Sequence, residues 1–379
     1  MKWQIGWGIT NACNMKCNFC YSVDCRVGDN ILPMSVLCNF VDENSYLIDS
    51  INFGTGENSL VQQWYDLIQY IKDKYPGIPM AITTNGNLGD ITERDSQKRS
   101  ITRKAISEID VSLDFIDEAR HNEIRGNKNA FSWVLKTLKF CKENGIKATI
   151  VMIGIEETME FKNLEGIFTL AHEYNAMVRL NIFRPNRPYL NSAPSPHLVY
   201  KVISWLVEQY EIANLSDPLF SSIFYYDGIN EDASGISSLR ILPNGWITPS
   251  TYLISDHWHT ENIKNGTVLE KIGTSDIFSV FRKECIPVFC SDCSIRDRCK
   301  GGTKDRRFLH YRTLAEPDPF CPFRQENAID INTLPQVNAP RNKQKVSIHD
   351  GYLPTLIFHS SKVKMHNTGK QTTNQGSRL

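Results

Sequence analysis

Apolar positions follow two alternating rhythms over the first 212 residues. Short apolar runs of strand length fall at 2–9, 48–54, 79–84, 109–114, 146–154 and 177–183. Stretches with helical spacing fill the gaps, near 34–45, 59–74, 97–108, 129–144, 159–174 and 196–212. The clearest is 129–144: Phe131, Val134, Leu135, Leu138 and Cys141 recur at helical steps, and Gly145 follows as a stop. On 34–45, Val36, Leu37, Cys38, Phe40 and Val41 form an apolar group. Strands alternating with helices predict a parallel sheet joined by right-handed crossovers. Six such units, followed by a different pattern, predict an α/β fold of the incomplete (β/α)6 barrel kind. Ligands of such folds sit at the C-terminal ends of the strands.

From about residue 213 the rhythm is lost. Residues 237–248 read as a hairpin turning at Pro243-Asn244-Gly245. A cysteine-rich stretch follows. Beyond it, 325–379 holds seven Lys/Arg against three Asp/Glu, a net charge of +4, and is rich in Asn, Gln, Ser, Thr and Pro. This composition predicts a solvated, flexible tail, with one island at 352–358 able to add an edge strand. The chain thus divides into 1–212, 213–324 and 325–379.

Composition narrows the class. The 379 residues, 41% hydrophobic, have room for two domains and a core. Lys+Arg and Asp+Glu both number 42, and a zero net charge gives no sign of a nucleic-acid or membrane-surface partner. No run approaches the roughly 18 apolar residues of a membrane span. Met1-Lys2 leads into the first strand without a signal-peptide pattern. Eleven cysteines cluster at the two ends of a long cysteine-poor middle. That pattern predicts reduced, metal-binding thiols in the cytoplasm rather than a secreted disulfide framework.

Cys13, Cys17 and Cys20 read C-x3-C-x2-C directly after the first apolar strand. Three thiolates this close can hold three corners of a cubic [4Fe-4S] cluster and leave one iron open to a small molecule. The bland alternative is three buried or zinc-binding cysteines. Further landmarks close later strands. Gly54-Thr55-Gly56-Glu57 follows 51–53; Thr84-Asn85-Gly86 ends the third run; Ser112-Leu113-Asp114 ends the fourth, with His121 and Arg125-Gly126 after it. Glycines let a ligand approach backbone, Glu57 can accept from an ammonium, and an arginine can clamp a carboxylate. Singly, each is a turn or strand end. Their joint order is the signal.

That order resembles the radical S-adenosylmethionine (SAM) superfamily, whose signature is C-x3-C-x-aromatic-C; Phe19 stands in the aromatic slot. Gly54 to Glu57 looks like the family's G-G-E element with Thr55 between the glycines. The Ser112 to Gly126 stretch resembles the S-L-D-G…H…R-G of the peptide-modifying branch. Phe115 replaces its last glycine, and the interval to Arg125 is one residue longer. The resemblance implies SAM contacts from Phe19, Tyr21, Gly54, Gly56, Glu57, Thr84, Asn85, Ser112 and Arg125. Ser112 and Arg125 would grip the carboxylate, and the Tyr21 backbone would meet adenine. Tyr21 and Asp24 would flank the mouth, while His121 reads as an exposed helix residue.

Cys290-x2-Cys293-x5-Cys299, with Cys321, resembles the SPASM/twitch extension of such enzymes, although C-x2-C by itself also fits zinc. The full pattern holds two auxiliary clusters. Here Ser250, four residues beyond Gly245, and Thr303 stand where the first cluster would take cysteines. The resemblance, which covers roughly 1–323, therefore implies one auxiliary [4Fe-4S] cluster held by Cys290, Cys293, Cys299 and Cys321.

The implied activity is cleavage of SAM to a 5′-deoxyadenosyl radical and modification of a ribosomally synthesised peptide, by crosslinking or another oxidative C–H change. Alternatives are an epimerase, or a maturase of a protein side chain or small molecule. Epimerisation needs a thiol hydrogen donor, for which Cys25 and Cys285 are candidates, Cys38 and Cys141 reading as core. An iron–sulfur electron carrier is the alternative outside SAM chemistry. A flavodoxin or ferredoxin is expected as electron donor. Because the chain starts at the first strand, either a separate leader-binding protein delivers the peptide or the leader binds elsewhere.

Overall fold

The computed structural model describes residues 1–22, 31–184, 193–225, 232–338, 347–350 and 352–362. Six βα units build its first half. The strands are β1 (Trp3–Trp7), β2 (Ile48–Phe53), β3 (Met80–Thr84), β4 (Glu108–Ser112), β5 (Lys147–Gly154) and β6 (Met177–Ile182). Each pairs in parallel with the next. The helices are α1 (Met34–Asn44), α2 (Gln62–Lys74), α3 (Asn87–Arg94), α4 (Ser96–Ala105), α5 (Glu118–Arg125), α6 (Ala130–Asn144), α7 (Phe161–Glu173) and α8 (Pro196–Gln209).

Side chains alternate across this sheet. Ile5, Ile51, Ile82, Ile109, Ile150 and Val178 are buried members of the hydrophobic core. The intervening positions are polar: Asn52, Thr83, Asp110, Thr149 and Arg179. The expected helix 129–144 is α6, which buries Val134, Leu138 and Cys141 and ends at Gly145 with φ of 63°. Two helices of this half lie outside the stretches with helical apolar spacing, α3 and α5. Both are short, and α5 is highly charged, so tertiary packing rather than apolar periodicity defines them.

Four further strands complete one ten-stranded sheet. They are β7 (Tyr210–Leu215), β8 (Ser238–Ile241), β9 (Ile247–Thr248) and β10 (Leu356–Lys362). The order is β7-β10-β6-β5-β4-β3-β2-β1-β8-β9. The expected hairpin is β8 and β9, pairing Arg240 with Thr248. Its first strand also runs parallel to β1, with Gln4 opposite Ser238. The sheet therefore continues across the boundary expected at 212. Helix α8 stops at Gln209, and residues expected to extend it form β7 instead.

The largest correction concerns the tail. The 352–358 island does not add an edge strand. β10 lies between β6 and β7, antiparallel to both, with Leu356 opposite Leu180 and Leu215. Leu356, Ile357 and Phe358 are at most 1% exposed, so a flexible tail does not describe this segment. Just before it, the Tyr352 phenol lies against β1. A Cβ on Gly6 would fall 1.5 Å from Tyr352 Oη, so glycine is required there. Helices α9 (Pro218–Phe224), α10 (Val268–Ile272), α11 (Asp276–Arg282), α12 (Arg296–Cys299) and α13 (Lys304–Tyr311) make up the rest. Among the described residues no helix is long and apolar enough to cross a membrane.

Phe358 packs edge-on to Phe168 at 6.2 Å in this core. Truncating Phe358 to Ala should cost about 3–5 kcal/mol. A urea unfolding midpoint measures it; a dispensable tail would show no change.

Candidate active site

The loop after β1 carries Cys13, Cys17 and Cys20 without helix or strand. Neighbouring strand ends hold it. Asn58 Oδ1 accepts from the Ile9 N–H at 3.0 Å. The Glu57 N–H donates to the Ala12 carbonyl at 2.8 Å, and the Lys16 N–H to the Arg125 carbonyl at 3.1 Å. Asn85 Nδ2 donates to Asn14 Oδ1 at 2.8 Å and lies 3.7 Å from Cys13 Sγ. Gly56 has φ of +61°, and a Cβ there would lie 2.6 Å from the carbonyls of both Thr10 and Ala12. Thr55 also has a positive φ, 71°, unusual for a branched residue. Its hydroxyl bonds the Tyr21 phenol at 3.1 Å and Arg240 Nη2.

All three cysteines face one cavity at the C-terminal ends of the parallel strands. It encloses about 1210 Å³, its open mouth included. Phe19, Tyr21, Gly54, Gly56, Thr84, Asn85, Ser112 and Arg125 line it, as the motif reading expects. Burial pushes the Cys17 thiol up, and Arg125 pulls it back. Burial likewise moves the Tyr21 phenol to about 12.

Three expected roles change. Glu57 is fully buried and absent from the cavity wall. Its carboxylate accepts from Ser59 Oγ at 2.6 Å, Thr84 Oγ1 at 2.9 Å and the Asn85 N–H at 2.7 Å. Burial still pushes its carboxyl up. Glu57 thus positions the T-N-G turn rather than meeting a ligand ammonium. Arg125 already clamps a carboxylate of the chain itself. Its Nε and Nη2 lie 2.7 and 2.6 Å from Asp114 Oδ2, and Nη1 lies 3.8 Å from Cys17 Sγ. Its guanidinium sits 5.1 Å from the Phe19 ring centroid. His121 is buried, not exposed; its Nδ1 accepts from the Asp114 N–H at 3.2 Å. Burial, seconded by Arg125, depresses its pKa to about 2.

The epimerase candidates are placed elsewhere. Cys25 and Asp24 lie outside the described residues. Cys285 does not line the cavity; its Sγ points to the Val280 carbonyl at 3.9 Å. Cys141 is core, and Cys38 is half-buried on α1.

Cys290, Cys293, Cys299 and Cys321 converge around a second, small cavity. Lys300, Gly301 and Gly302 are successively left-handed and turn the chain back after Cys299. Asp318 receives the Gly301 turn and precedes Cys321: its N–H donates to the Gly301 carbonyl, and its own carbonyl accepts from the Cys321 N–H, both at 2.9 Å. Arg306 ties Asp318 (2.9 Å) to Asp217 at the start of α9 (2.8 Å), all three buried. Burial raises the Cys299 thiol well above its usual range and Cys321 to about 11. Four cysteine sulfurs around one gap, three of them on buried residues and Cys293 half-buried, suit a metal centre, whose charge would hold them as thiolates. Ser250 Oγ instead donates to Asp305 at 2.9 Å, and Arg184 pairs with the same oxygen at 3.0 Å. Hydroxyls and an ion pair therefore occupy the place where a first auxiliary cluster would need thiols.

Residues 7–165 match the model of the Radical SAM superfamily. Over that stretch the chain is similar to the radical SAM superfamily. That family uses a [4Fe-4S] cluster and SAM, and the three-cysteine loop lies within the matched residues, on the cavity. Mycofactocin maturase MftC of Mycobacterium tuberculosis is 23% identical over 326 residues, 83% of this chain and 81% of that one. The AdoMet-dependent heme synthase of Nitratidesulfovibrio vulgaris is 27% identical over 356 residues, 84% of this chain and 92% of that one. Streptococcus suis SuiB bound to precursor peptide SuiA has the same fold, with a TM-score of 0.61 at 16% identity over 84% of this chain and 76% of that one.

Motif reading missed Arg179, Arg184, Arg240, Tyr252, His349 and Tyr352 on the radical SAM cavity wall. A charged residue inside an apolar strand, as in MVRLNI, was the available signal for Arg179.

Two outcomes test these sites. Reconstituted protein should hold about eight irons, and replacing Cys13, Cys17 and Cys20 by Ala should leave about four and abolish SAM cleavage; a single zinc in place of the second cluster would refute it. Arg125→Ala leaves the fully buried Asp114 uncompensated, so stability should fall by about 3–5 kcal/mol along with SAM affinity. Ser112→Ala should weaken SAM binding with less than about 1 kcal/mol of destabilisation. Calorimetric SAM titration and denaturant midpoints separate the two effects.

Proposed function

We propose that the chain oxidatively modifies a ribosomally synthesised peptide. The observation that carries this reading is the pairing of two cysteine sites in one fold, a three-thiol loop on an open cavity and a closed four-thiol centre. The likeness to a peptide maturase over most of both chains supports it, as does a shared fold with a peptide-bound enzyme. When bound, the open cluster and SAM supply a 5′-deoxyadenosyl radical that takes hydrogen from an unactivated carbon. The chain's part is to orient SAM through Gly54, Gly56, Thr84, Asn85 and Ser112 and to shield the reacting carbon from water. The four-thiol centre, closed by its own ligands, suits electron transfer better than substrate binding. A flavodoxin or ferredoxin would deliver the first electron.

A small, carboxylate-bearing substrate is the second reading. Arg179, Arg184 and Arg240 all line the cavity, and guanidinium suits carboxylates. The heme synthase likeness points the same way.

Anaerobic incubation with dithionite, SAM and short peptides encoded beside this chain tests the proposal. Crosslinking or desaturation removes two hydrogens, so the product should be about 2 Da lighter. An isobaric product carrying solvent deuterium at Cα would replace this reading with epimerisation. Conversion of a tetrapyrrole carboxylate instead of any peptide would establish the second reading.

A further inference from the structure

One buried cluster on the cavity wall has no role so far. Glu108 and Asp110 come from β4, Arg179 from β6, and His349 from the segment before β10; all are buried. His349 Nδ1 lies 2.5 Å from Asp110 Oδ2. Its Nε2 lies 3.4 Å from Thr83 Oγ1, and both residues line the cavity. Thr83 Oγ1 already accepts from Asn52 Nδ2 at 3.3 Å, which leaves its hydrogen for His349. With Nδ1 against the Asp110 carboxylate, the ring turns Nε2 toward Thr83 and the cavity.

The surroundings fix this arrangement. Arg179 Nη1 holds the same Asp110 oxygen at 2.8 Å. Burial opposes ionisation of Asp110, but Arg179 and His349 together hold its carboxyl below the usual range. Glu108 Oε2 accepts from the Ile348 N–H at 3.0 Å, and its Oε1 lies 3.9 Å from His349 Nδ1. Tyr352 meets the ring edge-on at 5.7 Å. Two carboxylates and one guanidinium surround the imidazole ring, a net negative setting that favours a proton arriving at Nε2. Glu108, Asp110 and His349 also stand close enough to share a cation. Arg179, however, already supplies positive charge to Asp110.

We propose that His349, oriented by Asp110, is the proton acceptor for the substrate in this cavity. The inference rests on the oxidative reading above. In such a reaction one hydrogen leaves as an atom, taken by the 5′-deoxyadenosyl radical. The carbon radical then bonds to a neighbouring X–H group. The X–H bond breaks, its proton goes to His349 Nε2, and one of the three electrons is surplus. The other two form the new C–X bond, and the surplus electron passes to a one-electron acceptor of the iron–sulfur class.

Histidine-selective ¹⁵N NMR on the reconstituted, oxidised protein tests the geometry without substrate. One ring should carry hydrogen on Nδ1 and a bare Nε2, be missing from His349→Gln, and change in Asp110→Asn. His349 with its hydrogen on Nε2 overturns the proposal. With the peptide, the ratio of product to 5′-deoxyadenosine should fall about a hundredfold in His349→Gln. A ratio within about twofold of wild type overturns it. Where His349→Gln does not fold, His349→Asn provides the same two readings. If wild-type enzyme converts no peptide, the peptide reading fails, while the NMR result still decides the dyad.

Discussion

The cysteine loop makes neither ladder nor helix hydrogen bonds, so its backbone must find partners on other elements. Two strand ends and one helix end provide them: Asn58 and Glu57 after β2, Asn85 after β3, and the Arg125 carbonyl at the end of α5. The last depends on the buried Asp114–Arg125 pair, which also takes the Ile153 N–H through Asp114 Oδ1 at 3.1 Å. Charge burial is costly unless paired and fully hydrogen-bonded, and this pair meets both conditions. The three thiols are therefore placed by a network reaching β5, not by the loop's own conformation.

Much of this was legible in the sequence. The six βα units follow from apolar runs separated by helical spacing, and the strand-end motifs lie on the cavity because parallel strands bring their C-terminal ends together. The grouping of Cys290, Cys293, Cys299 and Cys321 came from their resemblance to the SPASM/twitch extension, since C-x2-C by itself also fits zinc. What the motifs did not disclose was direction. Glu57 and Arg125 are at the expected positions, but their charged groups turn toward Thr84 and Asp114. Sequence order fixes which residues reach a strand end, whereas packing decides which partner each head group meets.

The hidden part of the site lies in long-range pairing. The segment from Ser347 to Lys362 reads as polar tail because its apolar island is only a few residues long. Its burial comes from a slot between β6 and β7 that no local pattern reveals. His121 was misread for a related reason. Its helix is highly charged, yet one face turns inward to Asp114. In each case tertiary context overrides local composition.

The position of β10 has a consequence for the birth of the molecule. A strand flanked on both sides by earlier strands cannot dock until its residues have left the ribosome. The barrel's first six units can collapse as local βα pairs, but β6 and β7 must wait for a distant partner, a high-contact-order step that slows folding. Until then β6 presents an unpaired apolar edge, a template for wrong pairing. The same late segment brings His349 and Tyr352 to the cavity. A nascent chain therefore carries its cysteine loop well before it has a finished cavity wall, and closure of the sheet and completion of that wall arrive as one event.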